Sequence, residues 1–386
     1  MTSIDLPDAD RTWSAHTLRE PTSWAQPATP LTVRIAYAAA HVVTDPFGDN
    51  VPGAPAVIDW DATLGFRCHL FSYGLGLAEA MDTAQRGMGL DWPATQELIR
   101  RSAAEAAAAG ARVAAGAGTD HLADDITDLD SILAGYEEQT AFVESTGARA
   151  IIMASRQLAR AARDTEDYRK VYDRLLAQTE GPVILHWLGT AFDPALAGYW
   201  GSADVSTATD AFLDLVRDNA EKVDGVKVSL LDAEHEKALR AALPTDVRLY
   251  TGDDFNYPEL IQGDGAHYSD ALLGIFAGIA PAASAALQAL EGGNVDDYDA
   301  AFGPTLPLAR HVFAAPTYYY KTGIAFLAWL CGHQSGFGMV GGLQNGRSPL
   351  HLVETFRLAD AAGLLPDPDL AAERMGTFLA SVGMTR

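Results

Sequence analysis

The sequence contains little cysteine and no clustered metal-binding residues. Its two cysteines, Cys68 and Cys331, form neither a Cys-x-x-Cys pair nor a Cys/His cluster. This excludes a disulfide framework and a thiolate zinc site, and it is typical of a protein of the reducing cytosol. The first residues, MTSIDLPDADRTW, carry acids and no apolar run. We therefore expect no signal peptide and a cytoplasmic location.

Positive charge is also scarce. The chain has 27 Lys and Arg residues against 51 Asp and Glu residues, a formal net charge of −24. So acidic a surface repels nucleic acid and anionic membranes, and we expect neither as a partner. The longest apolar stretches, 271–290 and 323–330, are interrupted by Pro281 or too short to cross a bilayer. The expected partner is a small-molecule substrate.

What the sequence does contain is an alternation of short β-rich runs with longer helical ones. Several of the runs are almost entirely apolar, as expected for strands of a parallel sheet buried on both faces. The eight runs cover residues 34–43, 75–83, 112–119, 149–155, 182–188, 224–230, 247–252 and 270–276. Eight such units predict an α/β fold, a (β/α)8 TIM barrel. A doubly wound open sheet is the alternative, weakened because no Gly-rich phosphate loop follows the first run.

The sequence indicates three regions. Residues 1–30 are rich in Pro, Thr and Asp and show no period, so they are predicted to be an extended N-terminal arm. Residues 31–282 are predicted to be the barrel, and residues 283–386 a helical C-terminal extension packed on it. The clearest helix boundaries are predicted for the segment that begins at Asp91. Asp91 is the predicted N-cap, Pro93 lies in the first turn, and Gly110 is predicted to end the helix.

The chain contains so few lysines that the role of each can be considered separately. The five are Lys170, Lys222, Lys227, Lys237 and Lys321. Lys227 lies within DGVKVSLL, a run that otherwise predicts a core strand, and a lysine seldom enters a core without a partner or a function. Burial favours the neutral amine, which can attack a carbonyl. The alternative is a structural ion pair with Asp253 or Asp254. The other four lysines are predicted to be solvated, and Tyr318 to Tyr320 beside Lys321 to form a packing seam or subunit interface.

Other reactive groups stand at the ends of the predicted strands. In a barrel these ends meet at one face, where active sites form. The candidates there are His41, Asp82, Thr83, Thr119, Asp120, Ser155, His186, Lys227, Gly252, Asp253 and Asp254. A histidine on a strand, such as His186, is more often a hydrogen-bonded core residue than a catalytic one.

A divalent metal is the alternative chemistry. Its possible ligands are His41, Asp82, His186 and either Asp253 or Asp254. No His-x-His, His-Glu-x-x-His or spaced carboxylate motif supports it. The AGAGT segment at 115–119 lacks the context of a phosphate loop and is predicted to be a tight turn. The competing functions are therefore a metal-dependent dehydratase or hydrolase and a non-catalytic barrel that binds a metabolite.

The order of several segments resembles the dihydrodipicolinate synthase / N-acetylneuraminate lyase family of lysine-dependent barrels. The resemblance covers roughly residues 33–335. Its most specific parts are VDGVKVS (223–229), similar to the strand with the Schiff-base lysine, and YTGDD (250–254), similar to the next strand. The similar segments also include VIDWDATLGFRCHLFSYGL, MDTAQRGMGLDWPATQEL, GAGT, PVILHW and PTYYYKTGIAFLAWL.

The resemblance implies a class I aldolase or lyase acting on a small oxo acid or a sugar-derived oxo compound. Lys227 would form the imine, so no cofactor is expected. His186 stands where the family has a proton-relaying Tyr, and an ordinary histidine pKa of about 6.5 would suit that task. Related barrels are commonly dimers or tetramers, so we expect a homo-oligomer that uses the apolar segment 313–331.

The same resemblance implies the substrate-binding residues and shows where this chain departs. The family's paired Thr turn becomes Thr83-Ala84 here, with Arg86 nearby. This change leaves the lysine chemistry in place but puts the family's 2-oxo-acid substrate in doubt. The residues expected to hold the substrate are His41, Asp82, Thr83, Arg86, Gly252, Asp253 and Asp254.

Overall fold

The computed structural model describes residues 2–81, 86 and 88–386. Its centre is a closed barrel of eight parallel strands. The strands are β3 (Ala36–Ala38), β4 (Gly76–Glu79), β5 (Val113–Ala117), β6 (Arg149–Ile152), β7 (Val183–Leu188), β8 (Val223–Ser229), β9 (Arg248–Thr251) and β10 (Asp270–Leu273). They neighbour one another in chain order, and β10 pairs with β3 to close the ring. The predicted (β/α)8 barrel is confirmed, and the open sheet is excluded.

Helices follow the strands around the outside of the barrel. They are α1 (Trp60–Ser72), α2 (Trp92–Ala109), α3 (Leu129–Ser145), α4 (Arg156–Ala161), α5 (Thr165–Gln178), α6 (Val205–Asp218), α7 (Ala233–Ala242), α8 (Tyr257–Gln262) and α9 (Ala280–Glu291). The predicted signals around α2 are present, since the Asp91 side chain accepts from Ala94 N and Gly110 ends the helix at a φ of 64°. The boundary placed at residue 282 falls inside α9, so the last barrel helix runs on to Glu291.

The C-terminal extension is helical, as predicted. It consists of α10 (Val295–Phe302), α11 (Thr305–Val312), α12 (Tyr320–Leu330), α13 (Pro349–Ala361) and α14 (Pro368–Ser381). Between α10 and α11 the chain breaks at Gly303 and Pro304, because proline cannot continue the preceding helix. Every residue of α12 is buried within the chain. The apolar character of α12 is therefore explained by internal packing, and it no longer supports a subunit interface at that helix.

The N-terminal arm, predicted from the sequence only as extended, contains a β-hairpin. Strands β1 (Ser3–Pro7) and β2 (Trp13–Thr17) form an antiparallel hairpin. Leu6 is fully buried, and Asp360 of α13 accepts hydrogen bonds from Arg19 N and shares one with His16 Nε2. The pairing with the C-terminal helices supplies the burial that so short a hairpin lacks by itself. A pattern of residues within 1–30 could not reveal a partner more than 300 positions away.

No helix within the described ranges is both long and apolar enough to cross a membrane.

Candidate active site

Lys227 lies on the inner face of the sixth barrel strand, β8. Its neighbours Val226 and Val228 face outward into the apolar layer between barrel and helices, so the alternation of the strand turns Lys227 inward. Its exposed fraction is 8%. In the parallel ladder it stands between His186 of β7 and Tyr250 of β9. The position predicted from the DGVKVSLL run is confirmed.

The next strand gives the lysine room because it carries no side chain at Gly252. A Cβ there would lie 3.0 Å from Cε of Lys227, 2.2 Å from Oγ of Ser229 and 2.7 Å from the carbonyl oxygen of Val228. Real Cβ atoms essentially never come as close as the distances to Ser229 and Val228, and the Lys227 distance is tighter than most, so glycine at 252 leaves the room that these neighbours occupy. Gly252 is thus a packing requirement of the lysine.

His186 is buried beside Lys227. Its exposed fraction is 1%, and its Nε2 shares a hydrogen bond of 3.2 Å with Oγ of Ser229. Burial, together with the charge of Lys227, holds the pKa of His186 well below 6.5. The expectation of an ordinary pKa was therefore wrong: at neutral pH the ring is uncharged, and it can accept a proton. Ser229 was missed, although it lies two residues after Lys227 and therefore on the same face.

The two aspartates after β9 have different surroundings. The Asp253 carboxylate accepts from the backbone N–H groups of Phe255 and Asn256 and from the Asn256 side chain, so it fixes the turn. Asp254 turns toward the lysines. Its Oδ1 accepts from Ile275 N at 2.8 Å, and burial raises its pKa to about 7 against the opposing charges of Lys227 and Lys321. Asp254 is thus a described acid whose charge interacts with that of Lys227, the predicted reactive amine.

Lys321 is the largest departure from the sequence-based assignment of the lysines. It was predicted to be solvated, but only 1% of it is exposed and its amine donates to the carbonyl oxygen of Ala39, just beyond the end of β3. Burial lowers its pKa to about 7. Its position one residue into the otherwise apolar α12 was the available signal, since that helix has no polar face to carry a solvated lysine.

Two further candidates have structural partners. His41 Nε2 shares a hydrogen bond of 2.7 Å with Oε1 of Gln334, its ring packs on Phe66 of α1, and burial lowers its pKa to about 3. Arg86 donates to the Gly116 carbonyl and to the side chains of Asp120 and Gln139. His41 therefore ties the segment after β3 to the C-terminal extension, and Arg86 is bound to β5, to the residue Asp120 after it and to α3. Asp82 and Thr83 lie outside the described residues.

A polar cavity of about 290 Å³ opens at the carboxyl ends of β5, β6 and β7. Leu188 at the end of β7 forms part of its wall, whereas neither His186 nor Lys227 is among the residues that line it. Thr119 Oγ1 bonds both Ser155 Oγ (2.6 Å) and Gln157 Oε1 (2.8 Å) in the cavity lining. Thr119, Asp120 and Ser155 were predicted at this face. The lining also includes Tyr318, which was predicted only as a packing residue, and Arg156, Gln157 and Asp193, which the sequence analysis did not single out.

Arg156 gives the cavity one accessible positive charge. Its side chain is 47% exposed, and its Nε donates to Asp193 at 2.6 Å. The Asp193 carboxylate raises the pKa of Arg156, and the Tyr318 hydroxyl adds to this. Arg156 directly follows Ser155, whose Oγ caps α4, so the arginine is fixed by the first turn of that helix.

The described residues contain no group of three or more His, Cys, Asp or Glu side chains placed to hold a metal ion. Two members of the set considered for a metal are engaged elsewhere, His41 with Gln334 and Asp253 with its own turn. Of the other two carboxylates of that set, Asp254 accepts from Ile275 N, and Asp82 is outside the described part of the chain.

The fold is similar to that of dihydrodipicolinate synthases of known structure. The 4-hydroxy-tetrahydrodipicolinate synthase from Methylacidiphilum fumariolicum SolV superposes with a TM-score of 0.63 at 15% identity, over 91% of this chain and 99% of that one. The dihydrodipicolinate synthases from Aquifex aeolicus (TM-score 0.63, 12% identity, 86% and 99% covered) and Oceanobacillus iheyensis (0.61, 14%, 85% and 96%) are also similar. The resemblance found in the sequence is thus confirmed at the level of the fold.

The chain belongs to the family described as "Protein of unknown function (DUF993)", whose model matches residues 4–384. A search of curated proteins finds no match.

Proposed function

We propose that this protein is an imine-forming lyase that makes or cleaves a C–C bond in a small oxo acid or a sugar-derived oxo compound. The observation that carries the proposal is the place of Lys227, a buried lysine on the inner face of the sixth strand, directly paired with a buried histidine. The structurally similar proteins from Methylacidiphilum fumariolicum and Aquifex aeolicus are synthases of the dihydrodipicolinate type.

The chemistry begins with the uncharged amine of Lys227. Its nitrogen adds to the carbonyl carbon of the substrate, the carbinolamine loses water, and the resulting iminium withdraws electrons from the neighbouring C–C bond. Neutral His186, one strand away and bonded to Ser229, can take the proton that the nitrogen loses on addition and pass it to the former carbonyl oxygen, which gives the carbinolamine. A further proton from solvent lets the hydroxyl leave as water and leaves the nitrogen as the iminium.

The polar cavity at the carboxyl ends of β5, β6 and β7 supports a small, polar substrate that would reach from there toward Lys227. Its volume of about 290 Å³ is at the lower limit of small-molecule sites. The hydroxyls of Thr119 and Ser155 and the amide of Gln157 suit hydroxylated carbons, and Arg156 suits a carboxylate. In this proposal Arg156, which is half exposed, takes the substrate's anionic end, whereas Arg86 holds the walls of the cavity.

The test is to trap the imine. The protein is incubated with pyruvate, 2-oxobutyrate or glyceraldehyde, reduced with borohydride, and measured as intact mass and as peptides. We expect the mass of the reduced adduct on the peptide that contains Lys227, and no adduct in Lys227→Arg. Lys237→Arg, an exposed lysine on α7, is the matched control and should be trapped like the parent.

The other outcomes identify the competing functions. A parent protein that forms no adduct, but has an activity abolished by EDTA and restored by a divalent ion, would be the metal-dependent dehydratase or hydrolase. Binding of an oxo compound without adduct or turnover would indicate a metabolite-binding barrel.

Homo-oligomerisation, as a dimer or tetramer, is also proposed. With α12 buried inside the chain, its support lies in the 44–57 loop, where Phe47 is 98% and Val51 52% exposed. Exposed side chains of this size favour contact with another protein surface. Light scattering that gives 41.0 kDa at micromolar concentration would exclude the oligomer.

A further inference from the structure

A second cavity, of about 280 Å³, lies on the outside of the barrel. Its lining residues come from four parts of the chain: the N-terminal arm, α1 with the turn after it, the start of α9, and the C-terminal extension. None of them belongs to the residues predicted at the barrel mouth or to the lining of the polar cavity there. This outer cavity is therefore separate from the candidate active site.

One wall of the outer cavity is an aromatic face of α1. Phe66, His69 and Tyr73 are three and four residues apart, so they follow one side of the helix to its end. The His69 ring is stacked on Phe66 with centroids 6.0 Å apart and meets the Tyr73 ring edge-on at 5.2 Å. His333, just after α12, packs against this face, 5.3 Å from Phe66 and 4.2 Å from His69.

The two histidines give this wall hydrogen-bonding groups without charge. Burial lowers the pKa of His69 and that of His333 to about 4 each, so both rings are neutral at neutral pH. A neutral imidazole has one nitrogen that donates and one that accepts. Within the described part of the chain, no residue forms a hydrogen bond with a ring nitrogen of either histidine. The described lining contains no Asp, Glu, Lys or Arg.

The rest of the wall is mostly apolar. Trp24 of the N-terminal arm is fixed there, because its Nε1 donates to the Gly363 carbonyl at 3.1 Å, and Leu327 and Leu364 add aliphatic surface. Such walls lack dispersion contacts until a ligand supplies them. An apolar cavity of roughly 150 Å³ is enough to bind benzene. A cavity of about 280 Å³ therefore has room for two fused rings.

We propose that the outer cavity is a binding site for a small, uncharged molecule of two fused aromatic rings that carries a hydroxyl group. The rings would pack among Trp24, Phe66 and Leu327, and the hydroxyl would form a hydrogen bond with His69 or His333. An anionic ligand is disfavoured, because the described lining offers no cation and the protein has a net charge of −24. The proposal goes beyond the imine chemistry and does not depend on it.

The competing explanation is a packing gap that holds only water. Three probe ligands of one ring system separate the two explanations. 2-Naphthol has the rings and the hydroxyl, naphthalene has the rings alone, and 2-naphthoate replaces the hydroxyl by a charged carboxylate. Equilibrium dialysis at pH 7 measures the affinity of each probe.

The proteins compared are the parent and three variants. The double variant His69→Phe/His333→Phe keeps two aromatic rings and removes their hydrogen-bonding nitrogens. Ala328→Phe places a ring in the cavity from α12. His267→Phe, which changes an exposed histidine outside the cavity lining, is the matched control. Circular dichroism establishes that each variant is folded.

We expect the parent to bind one molecule of 2-naphthol about tenfold more tightly than naphthalene, the contribution of one hydrogen bond, and to bind 2-naphthoate most weakly. The double variant should bind 2-naphthol and naphthalene equally. Ala328→Phe should lose the binding of both, and His267→Phe should behave like the parent.

Three results would overturn the inference. The first is a parent protein without saturable binding of 2-naphthol up to about 1 mM, as expected for a gap that holds only water. The second is an unchanged preference for 2-naphthol in the double variant, and the third is unchanged binding in Ala328→Phe. If Ala328→Phe does not fold, Thr22→Trp on the exposed arm replaces it and should weaken binding. If the double variant does not fold, at least one of its single variants must reduce the preference.

Discussion

Gly252 and Lys227 are matched across two neighbouring strands: a Cβ on the glycine would stand 3.0 Å from Cε of the lysine. The same Cβ would meet the backbone carbonyl of Val228 at 2.7 Å, and a backbone atom cannot move aside as a flexible side chain can. The inward course of the lysine therefore depends on the absence of a side chain on the next strand.

From this relationship we predict that Gly252→Ala disturbs the site more than the fold. Overpacking of this kind costs about 1–3 kcal/mol of unfolding free energy. It should also displace Lys227 and reduce borohydride trapping at least tenfold. Gly336→Ala is the matched control, because a Cβ there meets nothing within 4 Å. Trapping at the parent rate in a folded Gly252→Ala protein would contradict the assignment.

A second prediction concerns His186. His186→Phe keeps an aromatic ring of similar size but removes the proton acceptor beside Lys227, so turnover should fall at least 100-fold while the imine at Lys227 can still be trapped. The measurement pairs a steady-state assay with borohydride trapping on the same preparation. Full turnover in the Phe variant would remove His186 from the mechanism. If EDTA abolishes the activity of the parent and added divalent ion restores it, His186 would be assigned to a metal site instead.

The fold could be predicted because its signals are local. Each barrel strand appears in the sequence as a short apolar run, and the Asp91 cap and the Gly110 stop marked a helix correctly. Lys227 could be predicted for the same reason, since a lone lysine between two valines is unusual within one strand.

What the sequence could not supply are contacts between distant segments. The environment of Lys321 depends on Ala39 and Asp254, which are far away in the chain, and the N-terminal hairpin depends on Asp360. The low pKa of His186 could not be predicted either, because it results from complete burial beside Lys227 and not from any neighbouring residue in the sequence.

The third prediction concerns Glu236, a residue of α7 whose carboxyl group is buried. Its oxygens accept from Thr251 Oγ1 at 3.0 Å and Ser269 Oγ at 2.8 Å, yet burial raises its pKa from 4.5 to about 8. Between these two values the folded protein holds a proton that the unfolded chain has lost. Stability from this group is therefore present at low pH and is lost as the pH rises toward 8 and above.

Urea unfolding at pH 6 and pH 9 measures this effect. The free energy of unfolding of the parent should fall by about 2 kcal/mol between these pH values because of Glu236. In Glu236→Gln, which cannot ionise, it should fall by correspondingly less. Glu234→Gln, an exposed acid on the same helix, is the control and should behave like the parent. A Glu236→Gln protein with the parent's pH dependence would show that the carboxyl is ionised in the folded state.

The last prediction separates a catalytic Lys227 from a structural one. An imine needs a neutral primary amine. An arginine keeps the charge and most of the length, but its guanidinium stays protonated and cannot form the adduct. If Lys227 is catalytic, Lys227→Arg should lose essentially all turnover and all borohydride trapping, whereas Lys227→Met, uncharged and of similar shape, should remain folded.

If Lys227 instead serves a buried ion pair with Asp254, the pattern reverses. The arginine variant would then change the free energy of unfolding little, since the charge is kept. The methionine variant would lower it by roughly 3–5 kcal/mol, because it leaves a buried carboxylate unpaired. Urea unfolding of both variants, with Lys237→Met as the exposed control, measures the stability side of this comparison, and adduct mass measures the chemical side. Normal turnover in the arginine variant with a genuine substrate would end the Schiff-base proposal, because no other group at that position of β8 could take over the amine's part.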